Sequence, residues 1–153
     1  MIDRYKTPEM DRIWSDQNRF EIWKKVELAV TEVLCERGVV PEESWKVIKE
    51  KADFRIERVL EIEKETRHDV IAFLTNMAEY IGPDSRFVHM GMTSSDLLDT
   101  SLALQCREAG LILLEKLNKF HEVLCNRAVE FKDTFQMGRS HGIHAEPITF
   151  GLK

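Results

Sequence analysis

Residues 94–132 read SSDLLDTSLALQCREAGLILLEKLNKFHEVLCNRAVEFK, and this stretch decides the fold. It contains no proline, and Ser94, Ser95 and Asp96 offer three candidate caps before Leu97 opens a helical run to about Lys132. Gly110 can kink or divide that run. Its second half carries Leu113, Leu117, Phe120, Leu124, Ala128 and Phe131, spaced by four, three, four, four and three, close to a heptad seam. A helix this long cannot cover its apolar face within 153 residues unless it packs on partner helices, so oligomerisation is expected.

The rest of the chain agrees with an all-α class. Only four prolines and seven glycines occur in 153 residues, so long elements should dominate over turns. With 43% apolar and 32% charged residues, the composition is that of a folded domain rather than a disordered or membrane-spanning chain. The balance of 22 basic and 27 acidic residues gives a net charge of −5. A general nucleic-acid binder would carry a basic surplus, so that class is set aside. An anionic small molecule is still admissible, because a pocket can be locally basic on an acidic protein. No uncharged run approaches the roughly 18 residues of a membrane helix, and the opening Met1-Ile2-Asp3-Arg4-Tyr5 has no signal-peptide layout. Cys35, Cys106 and Cys125, without a CxxC, read as reduced and mostly buried thiols of a cytoplasmic protein.

Towards the N-terminus, residues 1–15 read as an irregular arm limited by Pro8. Ser15 or Asp16 caps a helix to about Arg37, with a buried stripe of Ile22, Val26, Val30 and Val33 and Trp23 beside it. Gly38 stops that helix, and Pro41 starts the next, to about Ala52. From Glu42 to Asp69 sixteen of 28 residues are charged, which reads as a solvated helical face. Residues Ile56 to Ile81 are helical with a break near Thr66-Arg67-His68-Asp69. Beyond the break, Val70, Phe73 and Met77 form one stripe and Ile71, Leu74, Ala78 and Ile81 another, as in a helix covered on most sides. Gly82-Pro83-Asp84 ends it. Domains are expected at 1–93 (N-terminal helical) and 94–153 (the start of a helical bundle). Residues 136–153 are rich in Gly and His, then turn apolar at Ile148 as if a further helix were starting, which suggests a fragment of a longer protein.

Three short segments break the helical rules and concentrate His, hydroxyl, Arg and Asp, and such departures are where function is expected. In Arg67-His68-Asp69, an imidazole between a guanidinium and a carboxylate suits proton transfer or anion binding, or simply a charged helix junction. In His89-Met-Gly-Met-Thr-Ser-Ser-Asp96, hydroxyls and free N–H groups at a helix start suit an anion, or else an ordinary cap with Asp96 answering the dipole. The third is Gly138-Arg-Ser-His-Gly-Ile-His-Ala-Glu-Pro147. Two histidines three apart, with Arg, hydroxyl and Glu nearby, are hard to justify as packing. Its His-x-x-His-x-Glu string is a weak zinc pattern, since no helix holds both rings on one face. His121 reads as a surface or seam residue.

Together these segments resemble the adenylosuccinate lyases of the fumarase/aspartase superfamily, from Arg4-Tyr5…Pro8-Glu9-Met10 to Phe150-Gly-Leu-Lys153. Two strings carry the resemblance: Thr93-Ser-Ser-Asp-Leu-Leu-Asp-Thr100 and Gly138–Pro147. Fumarases and argininosuccinate lyases typically carry Thr-His-Leu-Gln-x-Ala-x-Pro at the second place. Here His-Gly-Ile-His replaces His-Leu-Gln-x, and Ser140 stands where Thr is commoner.

The resemblance implies β-elimination of fumarate from adenylosuccinate, giving AMP, and from the succinyl-carboxamide ribonucleotide of purine biosynthesis. It implies His141 as general acid, with His68 beside Asp69 holding the substrate or orienting the acid and counted with the catalytic pair. It places His89 near the phosphate, and Arg4, Tyr5, Arg67, Thr93 and Ser94 on the nucleotide or the succinyl carboxylates. It implies no metal and no organic cofactor, no nucleic-acid or membrane partner, and a homotetramer whose sites are shared among chains. The family's catalytic base is a serine in a G-S-S-x-M-P-x-K-x-N loop, and no such string occurs in this chain. The 153 residues alone are therefore expected to be inactive. The rival readings are a related lyase with another succinylated substrate, a non-catalytic helical oligomerisation module, and a metal-dependent hydrolase.

Overall fold

Ser15 accepts a hydrogen bond from the Asn18 N–H at 3.2 Å and so caps the first long helix. The structure, a computed structural model, describes residues 2–153. In chain order it has α1 (Pro8–Ile13), α2 (Asp16–Glu36), α3 (Glu42–Lys51), α4 (Ile56–Thr66), α5 (Asp69–Ile81) and α6 (Ser94–Glu130), then β1 (Phe135–Ser140) and β2 (Ile143–Thr149). The all-α class holds, with one hairpin as the exception. The chain divides into two compact units, one ending at Ala109 and the other running from Gly110 to Lys153.

In the first unit the arm is more ordered than expected. Asp3–Tyr5 forms a 3-10 turn, and Pro8 begins α1 instead of preventing it. The first N–H groups of a helix have no intrahelical acceptor, so proline costs nothing there. α1 is tied down by Gln105, whose Nε2 donates to the Ile13 carbonyl at 2.8 Å, and by an Arg12–Glu108 ion pair.

The expected face of α2 also needs correction. The buried residues are Phe20, Ile22, Trp23, Glu27 and Thr31, whereas Val33 is 44% exposed and Val26 and Val30 are only half-buried. The aromatic rings decide the rotation, because each buries far more apolar surface than a valine. Phe20, Trp23, Phe54 and Phe73 form one cluster with ring centroids 5.2–5.8 Å apart. The Trp23 indole N–H is satisfied by Ser101 Oγ at 3.0 Å. Turned this way, Val26 and Val30 line an open groove with Met92 and Leu104.

α3 starts after Pro41, as expected, and the α4–α5 break falls at Arg67, which adopts a left-handed φ of 53°. α5 buries Val70, Phe73, Met77 and Ile81, but Ile71 is 48% exposed and Leu74 and Ala78 are half-buried. Its second stripe is thus only partly covered within this chain. α6 runs unbroken through Gly110. Its first half buries Leu97, Ser101, Gln105 and Ala109, each four residues from the last.

In the second unit the seam residues Leu113, Leu117, Phe120 and Leu124 are all exposed. The expected terminal helix is absent, and β1 and β2 pair antiparallel instead. Gly138 lies at the register shift between Met137 and Arg139, where a Cβ would meet the Glu146 carbonyl at 2.7 Å. Phe150 closes the unit by packing edge-on against Phe131, 5.1 Å between centroids. The thiols were expected to be mostly buried, yet Cys106 and Cys125 are exposed and Cys35 is half-buried, because α6 carries the first two outward in a single chain. Among the described residues no helix is long and apolar enough to cross a membrane.

Candidate active site

The α4–α5 junction is built on the left-handed turn at Arg67, an exposed residue, and His68 follows as the N-cap of α5. The His68 Nδ1 accepts the Ile71 N–H at 3.4 Å. A nitrogen that accepts carries no proton, so in the neutral ring Nε2 holds the hydrogen. Asp69 Oδ1 lies 3.5 Å from the same Nδ1 but is engaged by the Val70 N–H at 2.8 Å, where it answers the α5 dipole. Capping and site chemistry therefore share the same atoms.

His89 lies in the loop between Phe87 and α6, in a second left-handed turn, φ 63°. Its main-chain N–H and its ring Nδ1 both face one partner. Its main-chain N–H reaches Glu27 Oε2 at 2.9 Å, and its Nδ1 lies 2.7 Å from Glu27 Oε1. Glu27 is 0% exposed, while the His89 side chain keeps 20% of its surface. Burial pushes the Glu27 carboxyl above the ordinary carboxylate value, and the two donors of His89 pull it back. Glu27 escaped the sequence reading because the α2 face was phased on valines. The available signal was its place four residues after Trp23 and seven after Phe20, on the face those aromatics bury.

At the start of α6, Thr93 stands just before the helix, one residue earlier than the three candidate caps. Its N–H is taken by Asp96 Oδ2 at 2.8 Å, so the acid answers this helix end while Ser94 is half-buried in the first turn. In the arm, Arg4 Nη2 donates to the Tyr5 hydroxyl at 3.1 Å and the guanidinium stacks 4.9 Å from the Tyr5 ring centre. Both side chains are exposed.

His141 belongs to the second unit and sits at the tip of the β1–β2 hairpin. It and Gly142 form the two-residue loop with φ of 51° and 74°. Positive φ at both central residues is what a type I′ hairpin turn requires, and the second place goes to glycine. The His141 ring is exposed, and the Arg139 guanidinium reaches across the same turn to the Gly142 carbonyl at 3.4 Å. His144 and Glu146 follow on β2, both exposed. Among the described residues no three His, Cys, Asp or Glu side chains gather as a metal-binding group.

Residues 3–153 match a family of proteins described as Lyase. The chain belongs to this lyase family. Over all 153 residues it is 50% identical to the adenylosuccinate lyase of Bacillus subtilis and 52% identical to that of Synechocystis sp.. It spans 36% of the length of each of these relatives, as expected of a segment of such an enzyme. Among solved structures, fumarate lyase from Mesorhizobium sp. BNC1 superposes with a TM-score of 0.87 at 23% identity, over 93% of this chain and 34% of that one. That likeness speaks for the fold alone. The 3-carboxy-cis,cis-muconate lactonizing enzyme from Pseudomonas putida superposes at 0.88 with 28% identity, over 97% of this chain and 35% of its own. The resemblance to the adenylosuccinate lyases within the fumarase/aspartase superfamily therefore stands along the whole lyase segment.

Proposed function

We propose that the lyase to which this segment belongs eliminates fumarate from adenylosuccinate and from the succinyl-carboxamide ribonucleotide of purine biosynthesis, in the cytoplasm and as a homotetramer. The similarity to adenylosuccinate lyases supplies the reaction. The observation that carries the choice of residues is the backbone. Among the described residues the non-glycine positions with positive φ are Arg67, His89 and His141, one in each of the three segments that break the helical rules. Left-handed backbone at such residues costs of order 1–3 kcal/mol each and collects at functional sites.

The chemistry assigns their roles. The C–N bond of the substrate breaks, so the leaving nitrogen must gain a proton, and His141 is the general acid that gives it. A proton leaves the carbon next to a carboxylate, and the charge that builds on that carboxylate needs fixed donors. Arg67, Thr93 and Ser94 carry donors suited to the succinyl carboxylates, and Arg4, Tyr5 and His89 to the nucleotide. His68, with Nδ1 engaged in the α5 cap, offers Nε2–H to the substrate, and Asp69 fixes the turn that aims it. The base is a serine on a loop outside these 153 residues, and several copies of the chain build each site.

The test is fumarate release by the full-length protein, with adenylosuccinate competed against argininosuccinate. His141→Ala should lower turnover by about 10²–10⁴-fold, the usual share of a positioned general acid. Unchanged turnover would remove His141 as the acid, and no fumarate release by the wild-type protein would favour a non-catalytic helical oligomerisation module instead. The 153-residue chain alone should release no fumarate, and measurable release would count against the division of the site.

A further inference from the structure

Burying a carboxylate completely is costly unless its oxygens are met by donors. Glu27 is fully buried on α2, and the donors that meet it both come from one residue 62 positions away, the main-chain N–H and the ring of His89. A carboxylate used only for packing would be served as well by an apolar side chain of the same size. Here it fastens a residue that is itself held in a left-handed turn, φ 63°. Two bonds to one carboxylate fix both the backbone and the ring plane of His89, as a bidentate clamp does.

We propose that Glu27 is a positioning residue for His89. Its Oε1 accepts Nδ1–H and its Oε2 accepts the main-chain N–H. The neutral ring is thereby held in the Nδ1–H tautomer, and Nε2 is the nitrogen left to meet a ligand, as an acceptor in that form and as a donor to an anion in the imidazolium form. That the anion is the phosphate end of a nucleotide rests on the lyase reading above. The fixing of the tautomer does not. The logic is that of a histidine whose reactive nitrogen is chosen by the hydrogen bond its other nitrogen makes.

Two measurements separate the two parts. The first uses the 153-residue chain labelled with nitrogen-15 and reads, from long-range proton–nitrogen couplings, which ring nitrogen of neutral His89 carries hydrogen. The wild-type chain should show Nδ1–H. Glu27→Gln keeps the shape but turns a donor towards the ring, and the hydrogen should move to Nε2. Nε2–H in the wild-type chain, or the same tautomer in both chains, overturns the proposal. The wild-type measurement needs no variant to fold. The second compares full-length wild-type and Glu27→Gln enzymes. KM for adenylosuccinate should rise about tenfold or more with kcat within a few-fold, because the ring loses its negatively charged partner and with it the charge-assisted part of its bond to the anion, in ground state and transition state alike. An unchanged KM overturns the ligand-facing part. If wild-type enzyme releases no fumarate, the lyase reading fails, and the tautomer measurement decides the role of Glu27 by itself.

Discussion

At the scale of single residues, Arg67, His89 and His141 show how local misfit points to chemistry. A left-handed backbone costs a residue with a Cβ about 1–2 kcal/mol, and glycine would sit there freely. Arg67→Gly should therefore raise stability, by roughly 0.5–1 kcal/mol once the looser unfolded chain of glycine is counted. Urea unfolding of the 153-residue chain measures it, and a loss of stability would mean that the guanidinium anchors the turn. Glu27 gives a second prediction. Burial holds its carboxyl above the ordinary value of 4.5, so the folded state keeps that proton to higher pH than the unfolded chain does. Stability should then fall as pH rises from 4.5 through the folded value, and Glu27→Gln should lack this fall. Denaturant midpoints of both chains, taken stepwise upward from pH 4.5, should diverge in favour of the variant. The breaks at Arg67, His89 and His141 were legible because the helical sequence pattern lapses there. Glu27 was not, since a carboxylate inside a helix looks the same from the sequence whether it faces water or the core.

Among the elements, caps and breaks were legible because each rests on one or two neighbouring residues. Ser15, Gly38, Pro41, the turn at Arg67 and the stop at Gly82 stand where local chemistry put them. Ser15→Ala removes the hydroxyl that accepts the Asn18 N–H and should cost about 1 kcal/mol. A thermal melt of the chain should show it, and an unshifted midpoint would mean that the α2 start is held by packing alone. The rotation of α2 was not legible. Val26, Val30 and Val33 make as good a stripe as Phe20, Trp23 and Thr31 until Phe54 and Phe73 arrive from elsewhere in the chain. The β1–β2 hairpin was missed for a related reason. Its turn is His141-Gly142, a pair that satisfies positive φ without the usual Asn or Asp.

For the whole molecule, the open seam of α6 is the feature that asks for more protein. Leu117 is 61% exposed, and Leu113, Phe120 and Leu124 are exposed on either side of it. Fully burying such side chains is worth roughly 1.5–3 kcal/mol each, so a bare row of them implies a covering helix. On the homotetramer proposed above, that cover comes from other copies of the full-length protein. Leu117→Lys should lower the mass of the full-length protein in light scattering while leaving its helical content unchanged. An undiminished mass would move the interface elsewhere.

The sequence by itself determined the helical class, the helix ends, the three departures from regularity and the likeness to a lyase family. All of these depend on residues a turn or less apart, or on strings of about ten. Only the tertiary structure decided which side of α2 is buried, that His89 answers to Glu27 and that the last residues pair as strands. Those outcomes turn on contacts across tens of residues, where burial of rings and the need to satisfy every enclosed polar atom outweigh local preference.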